Sequence, residues 1–277
     1  MQSISIQNIQ DLKGSETPFA TLTAYDYTSA KLVEKAEIPL ILVGDSASMV
    51  MLGYENTIPI TVDEMMVFVR AVTRGAKKPL IIADMPFMSY QSSVEDSMRN
   101  AGRFIKEGGA GGVKLEGGVR VVPQIEAIVS MGVPVMGHLG LTPQSLHQFS
   151  GYKIQGKSVA TAQQIIDDAK ALESAGAFSV VLEGIPLELS KIITEVLDIP
   201  TIGIGAGPFC DGQIQVFHDI LGLFENFIPK HTKRYANFGS SIVENICSYR
   251  KDIEARVFPT DKQSVHLPKG VLEKLTY

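Results

Sequence analysis

Six ionisable side chains and a serine stand at or just beyond the ends of short apolar runs, and their types are those of proton transfer and hard-cation binding. Asp45 and Ser46 follow the run that ends Leu42-Val43-Gly44, and Asp84 follows Leu80-Ile81-Ile82-Ala83. Lys114 and Glu116 lie in the octet Gly111–Gly118, "GGVKLEGG". His138 follows Val135-Met136-Gly137, and Glu183 follows Val180-Val181-Leu182. The carboxylates Asp45, Asp84 and Glu116 are hard oxygen donors of the kind that suits Mg2+, which keeps waters and takes one or two carboxylates plus substrate oxygens. The apolar flank of Glu183 disfavours its charged form and would make it a stronger general base.

Each residue also has a plainer reading. Asp45 and Asp84 could cap the turns that follow them. His138 could be a metal ligand, an acid/base or a hydrogen-bonded core histidine. Lys114 and Glu116 are two residues apart, so on a strand they share a face. Either both stand on a solvated turn or both project into one cavity.

The elements around them decide between these readings. Eight apolar, β-rich runs alternate with amphipathic stretches: Phe19–Ala24, Leu40–Val43, Leu80–Ala83, Val113–Leu115, Val133–Met136, Ser179–Leu182, Thr201–Ile204 and Gln213–Phe217. Pro39, Pro79, Pro134 and Pro200 fall just before or within strand starts, where a missing N–H costs least. Between the runs, Thr61-Val62-Asp63-Glu64 reads as a capping box and Ser93-Val94-Glu95-Asp96 opens a second helix in a similar way. Helical stretches also lead from Val119–Gln124 to Met131-Gly132 and over Ala160–Ala175.

Parallel strands with intervening helices define a (β/α)8 barrel or a doubly wound sheet. The even spacing, with no dinucleotide fingerprint after the first strand, favours the α/β (β/α)8 TIM barrel. In such a barrel chemistry sits at the C-terminal strand ends, so the charged ends converge and the cavity reading of Lys114 and Glu116 prevails. The whole chain, 1–277, is expected to be a single barrel domain. It would carry an N-terminal helix at about 5–13 and a C-terminal helix plus arm at about 239–277, packing around the barrel or onto a neighbouring subunit.

Composition excludes several classes. A formal charge of -5 and the lack of a dense basic cluster argue against nucleic-acid binding; Lys230–Arg234 is too short to change that. The two cysteines, Cys210 and Cys247, lack paired-ligand spacing, which fits a reducing compartment. The polar start, "MQSISIQNIQDLKGSE", lacks a signal-peptide pattern, and the uncharged runs are too short to span a membrane, so a cytoplasmic location is expected. Two long loops, Ser46–Ile60 and Leu139–Lys157, read as lids or binding walls. Gly203–Gly207, "GIGAG", reads as a phosphate cradle or a tight turn that leaves room for a substrate.

The motifs "LTAYDYTSAKL", "VGDSASMVMLGYENTIPIT", "ADMPFMSY", "VKLEGG", "GHLGLTPQS…GYKIQGK", "VLEGIP" and "TIGIGAGPFCDGQIQVFHDILGL" fall in the order seen in ketopantoate hydroxymethyltransferases. The chain resembles that family over nearly all of Leu22–Leu267. The resemblance implies a barrel of the phosphoenolpyruvate mutase/isocitrate lyase type and one Mg2+ per subunit. It also implies 5,10-methylenetetrahydrofolate as one-carbon donor to 3-methyl-2-oxobutanoate, an early step of pantothenate and coenzyme A synthesis. By motif position, Asp45, Asp84 and Glu116 would be metal-associated, and Asp45, Ser46, Asp84, Lys114 and His138 would contact the keto acid. Glu183 would accept the proton, and the family assembles into large homo-oligomers, often decamers. Pro208-Phe209-Cys210 and Gly184 depart from the family's commoner residues, which affects loop contacts. The rival readings are another metal-dependent keto-acid lyase or mutase of that superfamily, and a Schiff-base aldolase with Lys114 as nucleophile.

Overall fold

The inward residues of the strands sort into an apolar floor and a polar rim, and this sorting positions the site. In this computed structural model, residues 3–276 are described apart from 150, 152 and 227. The strands are β1 Phe19–Thr23, β2 Leu40–Val43, β3 Leu80–Asp84, β4 Gly112–Glu116, β5 Val135–Gly140, β6 Ser179–Glu183, β7 Thr201–Ile204 and β8 Gly212–Gln215. All pair in parallel, each with its sequence neighbour, and β1 closes on β8. The (β/α)8 barrel expected from the strand rhythm is the fold of this chain.

The helices are α1 Ile6–Gln10, α2 Tyr27–Lys35, α3 Ala47–Val50, α4 Val62–Gly75, α5 Val94–Lys106, α6 Val122–Ser130, α7 Leu146–Phe149, α8 Val159–Ser174, α9 Leu187–Val196, α10 Phe217–Ile220 and α11 Phe238–Glu254. The capping box before α4 forms as the sequence suggests. Thr61 Oγ1 accepts from the Glu64 N–H, and Glu64 Oε2 accepts from the Thr61 N–H at 2.8 Å. Ser93 likewise caps α5 by accepting from the Asp96 N–H.

Two apolar clusters flank the sheet. The inner one contains Phe19, Leu40, Leu42, Leu80, Ile82, Met136, Val181, Ile202 and Ile214, with Ile9 of α1 among them. The outer one includes Val43, Val113, Leu115, Val135 and Leu182, packed against helix residues such as Val69, Phe104, Ile128 and Leu172. Strands covered on both faces are the usual condition of a parallel sheet, and they explain the near-continuous apolar runs.

Strand boundaries differ from the sequence reading in two places that matter. The fifth strand begins after Pro134, which lacks an N–H for the ladder, and runs on to Gly140, so His138 lies within β5. The eighth ends at Gln215, and Phe217 opens α10 instead. At the N-terminus the helix spans Ile6–Gln10 rather than about 5–13, and α11 starts at Phe238, one residue before the expected start at about 239. Among the described residues no helix is long and apolar enough to cross a membrane.

Candidate active site

Strand alternation carries the inner face upward from apolar to charged. On β3 the inward Leu80 and Ile82 are followed by Asp84, two residues further along the same face. On β4 the outward pair Val113 and Leu115 leaves Lys114 and Glu116 facing the interior. On β5 Met136 is followed by His138, and on β6 Val181 is followed by Glu183. Register then sets them side by side, with Asp84 opposite Lys114 and Glu116 opposite His138. Both charges of the octet therefore face the barrel interior rather than a solvated turn, each 3% exposed.

The side chains form a connected chain of charges. Lys114 Nζ donates to Asp84 Oδ1 at 2.7 Å and lies 3.9 Å from Glu116 Oε1. Asp84 Oδ2 accepts from the Asp45 backbone N–H at 3.1 Å. His138 Nδ1 is 3.2 Å from Glu116 Oε1, and its Nε2 is 3.2 Å from Glu183 Oε2. Neither of these two contacts has the alignment of a hydrogen bond, so both ring nitrogens and Glu116 Oε1 are buried without a partner among the described residues. Ser46, partly exposed, shares a 2.8 Å hydrogen bond with the Tyr25 hydroxyl. Among the described residues, neither Asp45 nor Asp84 forms the cap bond that the plainer reading offered. Asp84 takes donors from Lys114 and Asp45, while Asp45 Oδ2 accepts from Gln144 Nε2.

Burial and mutual charge set the protonation states. Burial, then the neighbouring Asp84 and Glu116, hold the Asp45 carboxyl well above the ordinary range. Asp84 is raised by burial too, against the pull of Lys114. Burial would also raise Glu116, but His138 and Lys114 outweigh it and hold its carboxyl low. Burial opposes the charge of His138, yet Glu116 and Glu183 push its imidazole up to about 9. Lys114 is held above the usual lysine range because Asp84, Glu116 and Asp45 outweigh its desolvation. It therefore stays an ammonium, which is the wrong state for the Schiff-base nucleophile considered above.

A divalent cation fits this donor set. Asp45, Asp84, Glu116 and Glu183 outnumber the cations Lys114 and His138, and the carboxylates of Asp84 and Glu116 add to burial in driving Asp45 upward. A buried, poorly compensated carboxylate is costly, and an oxygen-seeking ion relieves that cost. Among the described residues no three His, Cys, Asp or Glu side chains close on one point. A cation here would thus complete its shell with water and substrate oxygens.

Four residues at the site escaped the sequence reading. Tyr25 lies just past β1, so the strand-end rule could have found it. Gln144 could not be found that way, because it lies in the long loop after β5, where spacing carries no information. Its Oε1 accepts from Tyr90 and Gln91, its Nε2 donates to Asp45 Oδ2 and the Met85 carbonyl, and its backbone N–H donates to Glu116 Oε2. The third, Tyr90, also bonds the Glu116 backbone. The fourth, His231, packs on Gly205, one of two glycines of "GIGAG" that take left-handed φ values of 61° and 79°. That backbone is a tight turn with the loop Lys230–Arg234 folded over it. Burial lowers the His231 imidazole, and Glu183 opposes this.

A closed parallel barrel with buried carboxylates, a lysine and a histidine at the strand C-termini defines a TIM-barrel enzyme. Solved structures share the architecture. A putative phosphonomutase from Burkholderia cenocepacia J2315 superposes with a TM-score of 0.63 at 15% identity, over 89% of this chain and 99% of that one. A 2,3-dimethylmalate lyase, a member of the PEP mutase/isocitrate lyase superfamily, gives 0.59 at 17% identity over 96% and 92%. At these identities the likeness is one of fold.

Sequence relatives go further. The model of the ketopantoate hydroxymethyltransferase family matches residues 3–261, and the chain belongs to that family. A 3-methyl-2-oxobutanoate hydroxymethyltransferase of Dehalococcoides mccartyi strain CBDB1 is 55% identical over 271 residues, 98% of this chain and 97% of the relative. The enzyme of the same name from Carboxydothermus hydrogenoformans is 49% identical over 275 residues, 99% of this chain and 100% of the relative.

Proposed function

We propose that this chain transfers a hydroxymethyl group from 5,10-methylenetetrahydrofolate to 3-methyl-2-oxobutanoate, giving 2-dehydropantoate (ketopantoate). The single observation that carries this is the row Asp84–Lys114–Glu116–His138–Glu183, a buried cation and a partly open carboxylate joined across adjacent strand ends. The reaction must remove the one acidic hydrogen of the keto acid, beside its ketone, and hold the resulting negative charge.

Glu183 has the most exposed side chain of the row, at 15%, and is the group able to reach a substrate hydrogen. It takes the C3 proton. The proton stays on Glu183: His138, protonated at neutral pH, has no free lone pair to take it, and its Nε2–H, 3.2 Å from Glu183 Oε2, faces that carboxyl as a positive charge that steadies the carboxylate before the transfer. Lys114 offers positive charge to the substrate carboxylate, and Ser46, oriented by Tyr25, offers a hydroxyl. Asp45, Asp84 and Glu116 would hold Mg2+, which supplies positive charge to the substrate's keto oxygen when bound. The C3 carbon then bonds to the donor's methylene carbon, that carbon's bonds to N5 and N10 both break, water furnishes the hydroxyl, and the C3 proton and the remaining water proton end on the two nitrogens of tetrahydrofolate.

The proposal includes a cytoplasmic, homo-oligomeric enzyme, decameric by family resemblance. Supporting the assembly, every residue of α11 stays at least partly exposed, and Ile242, Val243, Ile246, Tyr249 and Ile253 lie open on it. A helix with that much uncovered apolar surface calls for a partner.

The test is hydrogen exchange at substrate C3 in heavy water, with Mg2+ and without folate. Glu183→Gln should bind Mg2+ and the keto acid but lose exchange. Normal exchange by that variant would remove Glu183 as the base.

A further inference from the structure

Beside the acidic site lies a cavity of about 410 Å3, whose lining includes Phe87, Gln91, Glu116, Arg120, Gln124 and Gln144. Its volume is in the range of small-molecule sites. Two of these residues, Glu116 and Gln144, also belong to the acidic site, so the two spaces share a wall. We propose that this cavity holds the reduced pterin of the one-carbon donor, with the donor's anionic glutamate tail leaving past Arg120. The proposal rests on the function given above and adds to it the place where the second substrate binds.

Three features of the lining point to that chemistry. First, the lining is rich in enclosed acceptors that lack a donor. Gln91 Oε1 and Gln124 Oε1 have no hydrogen-bond partner among the described residues. Buried acceptors without donors are costly, so the site favours a ligand whose edge is rich in N–H groups. The aminopyrimidine edge of a reduced pterin is such a ligand. Second, Phe87 is 37% exposed and offers an aromatic surface to a flat ring. Third, among the described residues the guanidinium of Arg120 donates only to neutral groups, Ser145 Oγ at 3.1 Å and Gln148 Oε1 at 3.3 Å. Neutral partners do not compensate its charge, which suits a carboxylate arriving with the ligand.

The position also suits the reaction. The donor carbon must meet the deprotonated keto acid, and a ligand against Glu116 and Gln144 lies one side chain away from Asp45 and His138.

The experiment compares steady-state kinetics of the full chain with two donors, 5,10-methylenetetrahydrofolate and the 5,10-methylene derivative of tetrahydropteroate, which lacks glutamate. Gln124→Leu should raise KM for both donors about tenfold. Arg120→Ala should raise it by a similar factor for the glutamate-bearing donor alone. The KM for keto acid should move by less than about twofold, well under the tenfold expected of one lost charged hydrogen bond. Calorimetric titration with tetrahydrofolate keeps the test open should a variant lose turnover. Donor KM and tetrahydrofolate affinity unchanged in both variants would overturn the proposal, as would a keto-acid KM rising in step with the donor's. Failure of the functional reading looks different: the unaltered protein would then neither exchange the C3 hydrogen nor form product from any folate.

Discussion

Gln144 Nε2 donates a 3.0 Å hydrogen bond to Asp45 Oδ2, joining two loops that are 99 residues apart in sequence. Its amide cannot flip without loss, because Tyr90 and Gln91 already donate to its oxygen. Replacing Gln144 by Leu would leave Asp45 and the Tyr90 hydroxyl without these partners. We expect kcat/KM to fall by about 10- to 100-fold, the usual cost of losing a group that orients metal-site ligands. Kinetics beside a thermal melt would check this; an unchanged kcat/KM would show that Asp45 needs no such restraint.

Lys114 and Asp84 form a pair that is almost fully buried. Lys114→Met removes one partner and strands the other carboxylate. Such one-sided removals cost about 3–5 kcal/mol, and we expect a urea midpoint lowered accordingly. Borohydride with the keto acid should trap no lysine adduct in the unaltered protein, since Lys114 is held as an ammonium.

Asp84 also tests the metal reading directly. Asp84→Ala should weaken Mg2+ and keto-acid binding together, by tenfold or more on the scale of about 1.4 kcal/mol per decade. An unaltered Mg2+ titration would reject Asp84 as a ligand.

Asp219, on α10, supplies a pH dependence away from the cation site. Burial pushes its carboxyl up to about 6, against the pull of Arg234. The folded chain thus binds this proton more tightly than the unfolded one. Stability from this group is greatest below the ordinary carboxylate pKa, falls as pH rises from about 4 to about 6, and is flat above. Asp219→Asn should remove that fall and be more stable at pH 7.5 by about 1–3 kcal/mol. Denaturant titrations at pH 4.5 and 7.5 would read it, and an identical pH slope in the variant would refute it.

Gly140 ends β5 with φ at 91°, and a Cβ there would run into the backbone carbonyl of Glu183. Only glycine takes that conformation without strain. Gly140→Ala should cost about 1–3 kcal/mol and displace Glu183, so exchange at substrate C3 should fall along with the melting temperature.

The sequence by itself determined the strand rhythm, the barrel and most of the site. Apolar runs covered on both faces leave no other place for Asp84, Lys114, Glu116, His138 and Glu183 than the inner face at the strand ends. Period-two alternation fixes which residues share that face, so the sequence alone pairs Lys114 with Glu116. Strand ends were less legible: His138 proved to lie inside β5, because ladder pairing with β6 continues to Gly140.

Tertiary structure decided what local pattern cannot encode. Gln144 and Tyr90 reach the site from loops, where the chain path follows from packing and no period announces which side chain turns inward. The same holds for charge states. Asp45 is driven up by burial and then by Asp84 and Glu116 on other strands, and His138 is kept protonated by Glu116 and Glu183. Coulombic effects depend on separation in space, and only the closed barrel sets that separation.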